Sequence, residues 1–187
     1  EKTFQVGWST GQAAHRIKDS GIDLASGTDR FGLGRWAWTR YQGRNGVSLR
    51  VVVAYRPVRN KRGVMSVWNQ QKLYWEKHND DTDPIVKFTE DLAAEVTQWI
   101  EQGDQIVLGL DVNEDVRKGV FQKAMVNAGL VGLIIKQHGG EGPPTYVDGS
   151  VPIDEFFVTP SLDSMRCGYV PLEFDHRSLW MDIPYCL

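Results

Sequence analysis

The residues of this chain best suited to chemistry lie in its second half, each where an apolar run meets a loop. Leu110-Asp111-Val112-Asn113 closes one such run, Ile153-Asp154 opens another, and Asp175-His176 stands just before a third. Together they supply carboxylates, an amide and an imidazole at strand ends, where a rigid sheet can hold reactive groups toward a substrate. With no serine or cysteine nucleophile nearby, this set points to attack by water assisted by a metal ion.

Each group has a chemical use and a plainer alternative. Asp111 and Asn113 are two residues apart, so in extended backbone both side chains project to one side and can share a ligand. Such a pair can hold an oxygen-binding cation, or take a proton from a water and orient it; it can also be an Asx turn that ends a strand. Asp175 is a hard oxygen ligand suited to Mg²⁺ or Mn²⁺. His176 can contact a phosphoryl oxygen and stabilise charge that builds in a transition state, although Asp-His is also a common solvated turn. Asp154 is flanked by Ile153, Phe156 and Phe157, and a lone acid there is costly to bury unless it is paired. Bonded to one ring nitrogen, it would fix the histidine tautomer and favour the charged imidazole.

The 187 residues carry a net charge of −3, which by itself does not advertise a nucleic-acid partner. The distribution is more telling. Arg35, Arg40, Arg44, Arg50, Arg56, Arg59, Lys61 and Arg62 fall in one stretch without an acid. That stretch is either a solvated strand face or a local positive field for a phosphate backbone. Trp36, Trp38 and Tyr41 interleave with it and alternate as strand residues do, which favours core positions over base-stacking platforms. Cys167 and Cys186 have no CxxC spacing, which excludes a conventional zinc site and leaves two free thiols as the expected state. No apolar run approaches the roughly 20 residues of a membrane span, and no signal peptide is visible. The compartment stays open, with an intracellular setting favoured. The first residue is Glu1 rather than Met, as in a processed, trimmed or partial product.

The elements that must position these groups read as a single domain over 1–187, without repeats or linkers. Residues 35–42 and 47–56 form two strands joined by a hairpin turn at Gly43-Arg44-Asn45-Gly46, because Asn-Gly accepts the positive φ of tight turns. Pro57 ends the second strand. An amphipathic stretch at 65–78 precedes a stronger helix over 84–102, with Asp83 as its N-cap, Pro84 at its first position and Gly103 beyond its end. Ile85, Phe88, Leu92, Val96, Trp99 and Ile100 keep the spacing of a buried helix face. Residues 105–111 are a near-continuous apolar strand, buried on both faces. A helix follows over 116–128, closed by Gly129, and strands at 153–159, 165–170 and 178–183. The interleaving without a strict βαβ rhythm favours an α/β fold with a mixed sheet or sheet pair and helices outside.

Five segments resemble, in order, motifs of the endonuclease/exonuclease/phosphatase superfamily, the DNase I-like group that includes exonuclease III and abasic-site endonucleases. They are Gly34-Arg35, Val53-Ala54-Tyr55-Arg56-Pro57, Gly109-Leu110-Asp111-Val112-Asn113, Pro152-Ile153-Asp154-Glu155-Phe156-Phe157-Val158, and Phe174-Asp175-His176-Arg177-Ser178-Leu179-Trp180. The last three are similar to the family's GDFN, (K/R)IDYIF and SDHRPL. The resemblance implies a four-layer α/β/β/α sandwich and Mg²⁺-dependent (or Mn²⁺-dependent) hydrolysis of phosphodiesters. By motif position Asp111 would orient and deprotonate the attacking water, with Asn113 beside it. His176 would contact the scissile phosphate, and Asp154 would hold the imidazole. Asp175 would bind the metal together with Asp111 and Asn113. Tyr55 would donate to a phosphate oxygen, and Arg35 and Arg56 would contact the substrate.

The sequence departs from the family at several places. Leu110 and Val112 replace the usual Gly and Phe, and Phe174 replaces a small residue. Family members begin with a strand carrying an Asn and then a Gln-Glu motif whose Glu is a metal ligand. Here Phe4-Gln5-Val6-Gly7-Trp8-Ser9 matches the segment after that Glu, so two strands and one ligand are expected to be missing. Weak metal affinity and an exposed sheet edge follow, and with them a homodimer or an N-terminal partner piece that completes the sheet. The expected function is a divalent-metal phosphodiesterase, foremost a nuclease acting on DNA. The alternatives are a remnant that binds nucleic acid or protein without turnover, and a phosphatase of the same fold.

Overall fold

The two arginine-rich runs pair as a hairpin: β2 (Trp36–Gln42) and β3 (Ser48–Tyr55) are antiparallel, with Trp36 opposite Ala54 and Gln42 opposite Ser48. A computed structural model describes residues 23–42, 46–60, 63, 65–163, 165–170 and 175–183. Turn residues 43–45, Arg44 among them, lie outside that set, as do Lys61, Arg62, Phe174, Cys186 and the segment 4–9. Gly46 itself has a φ of 78°, the left-handed conformation expected where Asn-Gly turns the chain.

A strand that the sequence did not announce, β1 (Asp23–Thr28), pairs antiparallel with β2. Its composition is poor in β-branched and aromatic residues, and its place comes from tertiary fit. A side chain at Gly27 would lie 2.7 Å from the Trp38 ring, so glycine admits the indole there. Beyond β3 come α1 (Val67–Lys77) and α2 (Pro84–Glu101). Ser66 caps α1 by accepting from the Asn69 N–H, and Asp83 caps α2 by accepting from the Ile85 N–H. Gly103, with a φ of 85°, lets the chain turn from α2 straight into β4 (Asp104–Asp111).

After β4 the expected helix starts four residues late, as α3 (Val120–Asn127). Residues 115–119 form turns instead, because Val116 donates its N–H to Pro152 O and Asp115 accepts from the Arg117 N–H. Two short elements, β5 (Val131–Gly132) and α4 (Leu133–His138), were not expected. Then follow β6 (Asp154–Val158), β7 (Cys167–Tyr169) and β8 (Leu179–Met181), each within the span its sequence suggested.

Six strands form one mixed sheet in the order β1-β2-β3-β4-β6-β5, and β7 and β8 form a second, two-stranded sheet. The central pair β3 and β4 is parallel; β4 and β6 are antiparallel. One face of the large sheet, with Val52, Ala54, Ile106, Leu108, Leu110 and Phe157, packs on Phe88, Leu92 and Val96 of α2 and on Phe121 and Met125 of α3. The other face, with Val107, Phe156 and Val158, packs on Leu162, Cys167 and Leu179. Burial of each such side chain stabilises by about 1.5–3 kcal/mol. The layers therefore run helices, sheet, second sheet, and β4 is covered on both sides as its apolar run required. The chain is α/β with a mixed sheet. Cys167 is a buried free thiol. No helix among the described residues is long and apolar enough to cross a membrane.

Candidate active site

Strand register brings the first three groups into line. Tyr55, the last residue of β3, is paired with Asp111, the last residue of β4, and Asp111 is paired in turn with Asp154, the first residue of β6. Because side chains alternate along a strand, all three leave the helix-packed face and enter a cleft of about 1390 Å³ also lined by Asn113, Tyr146, Asp175 and His176. Each strand ends there for a local reason. Val112 donates to Ile153 O at 2.7 Å, tying the end of β4 to the start of β6. Asn113 takes the left-handed conformation, with a φ of 53°, and its N–H donates to Asp111 Oδ1 at 2.9 Å. The Asx turn foreseen as the plain alternative is present, and it fixes the Asp111 carboxylate.

His176 reaches the cluster from a different segment. Arg177 N–H donates to Thr145 O, Val147 N–H donates to Asp175 O, and Tyr146 and His176 form an isolated antiparallel bridge. Thr145 is fully buried, and its Oγ1 accepts from the N–H groups of Ile153 and Asp154 at 2.8 and 3.1 Å. One threonine thus ties both the Asp154 segment and the His176 segment to the same loop. The imidazole Nδ1 lies 3.0 Å from Asp154 Oδ2, and Nε2 lies 3.9 Å from Asp111 Oδ2. A carboxylate acceptor at Nδ1 assigns the proton to that nitrogen in the neutral ring and leaves Nε2 toward the cleft.

The electrostatics follow from this crowding. Burial, with the charge of Asp154 second and against the pull of His176, pushes the Asp111 carboxyl up to about 7. The hydrogen bond to Asp154 raises the His176 imidazole above its ordinary value, against the effect of burial. Burial and the Asp111 charge raise the Tyr55 phenol, which keeps 37% of its surface exposed. One ligand atom from each of Asp111, Asp154 and His176 lies within 4.8 Å of the others. Two hard carboxylates and an imidazole so close, with one acid held near neutrality, make a donor set that a divalent cation would relieve.

The remaining residues singled out in the sequence stand outside this tight cluster. Asp175 lines the cleft but is exposed; its Oδ1 accepts from the His176 N–H, and it stands outside the tight cluster. Asn113 sits at the cluster's edge, its Nδ2 donating to Arg56 O at 2.6 Å. Arg35 and Arg56, expected to contact the substrate, have buried side chains, and Arg35 is also among the residues that line the cleft. The Arg35 guanidinium is completely buried, 2.8 Å from Asp91 Oδ2 and 3.4 Å from Asp29 Oδ1, over the Trp36 ring. Arg56 is also buried and donates to Val112 O and Glu114.

Among the described residues the other arginines of the hairpin region are engaged in the same way. Arg40 and Arg50 both pair with Asp104, Arg50 lies against both the Trp38 and Trp99 rings, and Arg59 pairs with Asp83. The tryptophans are core residues: Trp36 is fully buried, and Trp38 packs against the same cluster. Sequence reasoning missed Thr145, Tyr146 and Glu114. Tyr146 lines the cleft with its ring 5.2 Å from that of His176. Pro143-Pro144-Thr145-Tyr146 follows a glycine-rich stretch and reads only as a loop.

No family model matches the sequence, and no curated protein matches it. Solved structures do resemble its fold. A 3′ phosphatase from Neisseria, NExo, bound to product DNA hairpin, superposes with a TM-score of 0.60 at 15% identity over 88% of this chain. The catalytic domain of human Nocturnin with bound sulfate gives 0.54 at 14% identity over 87%. An AP endonuclease from Archaeoglobus fulgidus gives 0.50 at 17% identity over 80%. The chain spans 72%, 60% and 65% of those three proteins.

Proposed function

We propose that this chain, which has the DNase I-like fold of the endonuclease/exonuclease/phosphatase superfamily, is a divalent-metal-dependent phosphodiesterase that cleaves nucleic acid, DNA foremost. The observation that carries the reading is the Asp111–Asp154–His176 cluster at the mouth of three adjacent strands. A nuclease or phosphatase chemistry is what proteins of this fold perform, and one neighbour of the same fold holds a DNA product. In this reading residues 1–187 are one domain.

Asp111 accepts the proton of the attacking water. A carboxyl held near 7 is matched to that task at neutral pH. The new P–O bond forms as the ester P–O bond breaks, and the departing oxygen takes its proton from solvent. Charge builds on the phosphoryl oxygens. In its protonated form, which the hydrogen bond to Asp154 favours, His176 donates from Nε2 to one of them, and Asp154 holds the ring in place. Tyr55 donates its phenol proton to a second oxygen. Asn113 orients the water beside Asp111. A Mg²⁺ or Mn²⁺ ion would be held by Asp111, the carboxylate of the cluster that is not hydrogen-bonded to His176, with Asn113 and Asp175 of the cleft lining as further oxygen donors, and would neutralise phosphate charge when bound.

A second reading rests on the sparse carboxylate set: only Asp111, Asp154 and His176 cluster as metal-capable groups among the described residues. In it the chain binds phosphates without turnover. The readings separate in one assay, incubation of supercoiled plasmid and of a 3′-phosphorylated oligonucleotide with Mg²⁺, Mn²⁺ or EDTA. The proposal expects metal-dependent nicking that is lost in His176→Ala and Asp111→Ala. Phosphate release without nicking assigns a phosphatase; retention of DNA without either product assigns the binding module. Completion of the sheet by a second copy or an N-terminal partner piece predicts a dimer or a complex in light scattering, and a compact monomer contradicts it.

A further inference from the structure

We propose that Arg56 is a positioning residue that sets the Asp111–Asn113 loop in its working geometry, and that it does so together with Glu114 rather than by touching substrate. This inference rests on the hydrolytic reading of the same site. Arg56 stands next to Tyr55 in sequence, yet its side chain turns away from the cleft. It lies over the Phe121 ring at 5.7 Å and is buried. One of its terminal nitrogens donates to Val112 O at 3.0 Å and lies 3.2 Å from Glu114 Oε2. Its backbone is committed to the same loop: the Arg56 N–H donates to Asp111 O at 3.1 Å, and its carbonyl accepts from Asn113 Nδ2 at 2.6 Å.

Residue 56 therefore holds 111, 112, 113 and 114 at once. The restraint acts where the backbone is unusual, since Asn113 sits at a φ of 53°, in the left-handed region that residues other than glycine visit sparingly. Glu114 carries the restraint onward, since its other oxygen accepts from the Phe121 N–H at the first turn of α3. Gly119 is required for that approach: a side chain there would fall 2.1 Å from Glu114 Oε1. The clamp thus runs from β3 through Arg56 and Glu114 to α3, with the Asp111–Asn113 turn held inside it. A loop fixed this way keeps the Asp111 carboxylate aimed into the cleft before substrate arrives.

A positioning role and a phosphate-binding role differ in kinetics. Loss of positioning lowers kcat with KM retained, whereas loss of a phosphate contact raises KM and flattens the salt dependence. The test measures kcat, KM and unfolding midpoints for wild type, Arg56→Lys, Arg56→Met and Glu114→Gln on a duplex oligonucleotide. Arg56→Met is expected to lower kcat by about 10²-fold, with KM within about threefold of wild type. Arg56→Lys, which keeps a charged donor, recovers much of the loss, and Glu114→Gln falls between. A rise in KM with kcat retained, or no change in either, overturns the proposal.

A second readout stands apart from activity. The Asn113 side-chain amide signals, hydrogen-bonded to the residue 56 carbonyl, are expected to lose exchange protection in folded Arg56→Met. If wild type cuts nothing, the hydrolytic reading fails, and this readout alone decides the clamp: lost protection upholds it, unchanged protection refutes it.

Discussion

Around the hairpin the buried arginines meet carboxylates: Arg35 meets Asp29, six residues before it, and the distant Asp91, and Arg50 meets the distant Asp104. At the ends of β3, β4 and β6 the balance is reversed, with Asp111 and Asp154 sharing one imidazole. Both regions take charge out of water. In the first the partners compensate one another and the aromatic rings of Trp36, Trp38 and Trp99 cover the guanidinium groups. In the second the surplus is negative, and an acid is pushed up to about 7. Balanced charge serves the fold; the unbalanced charge costs stability, and the proposed function places ligand and chemistry there.

The widest contrast in stability should come from the balanced side. Asp104→Ala removes the partner of both Arg40 and Arg50 and strands a buried guanidinium, so unfolding by urea is expected to lose about 3–5 kcal/mol. Preserved stability would show that the pairs are not buried as described. On the unbalanced side His176→Ala should lose far more activity than stability: cleavage falls by about 10²–10⁴-fold, while the urea midpoint falls much less than in Asp104→Ala, because Asp154 keeps some exposure to solvent. A collapse of stability in His176→Ala would make the imidazole a structural residue.

Smaller and more specific is the effect of pH. Asp111 and Glu155 both have folded-state carboxyl groups raised above their ordinary values of 3.8 and 4.5, Asp111 to about 7 and Glu155 to about 8. The folded protein thus binds protons that the unfolded chain has released. Stability from these groups is fully present below about pH 4 and is lost as pH rises through 7 and 8. Glu155→Gln is expected to flatten that decline. Glu155 is paired internally too, accepting from the N–H groups of Ile134, Ile135 and Phe156, and burial still dominates its titration. Least in size is the shift expected in Asp154→Asn, where the His176 imidazole returns toward its ordinary value in an NMR titration. A His176 value unchanged in that variant would break the dyad.

Much of this architecture was legible from periodicity and caps. Asp83, Pro84 and Gly103 bracket α2, and the apolar run before Asp111 is a strand covered on both faces. The groups of the cluster were legible too, because Asp111, Asp154 and His176 each stand at a strand end with an uncommon residue type. The arginines misled. Their partners lie 54 to 64 residues away in sequence for the pairs to Asp104 and 56 for Arg35 to Asp91, and nothing local reveals such pairing. β1 was missed because its residues have weak strand propensity, and the β5–α4 segment because two and six residues are too short for a period to show. Thr145 was missed because its importance lies in two N–H groups eight and nine residues ahead.

Thermal unfolding of wild type and Asp111→Asn at pH 8, with and without Mn²⁺, tests the claim of unfinished charge most directly. Without metal, Asp111→Asn is expected to unfold at a higher temperature than wild type, since the amide keeps the bond from Asn113 and sheds the buried charge. Mn²⁺ is expected to raise the wild-type midpoint in proportion to occupancy and to leave Asp111→Asn unmoved. Equal stabilisation of both chains by Mn²⁺, or a less stable Asp111→Asn, would contradict that claim.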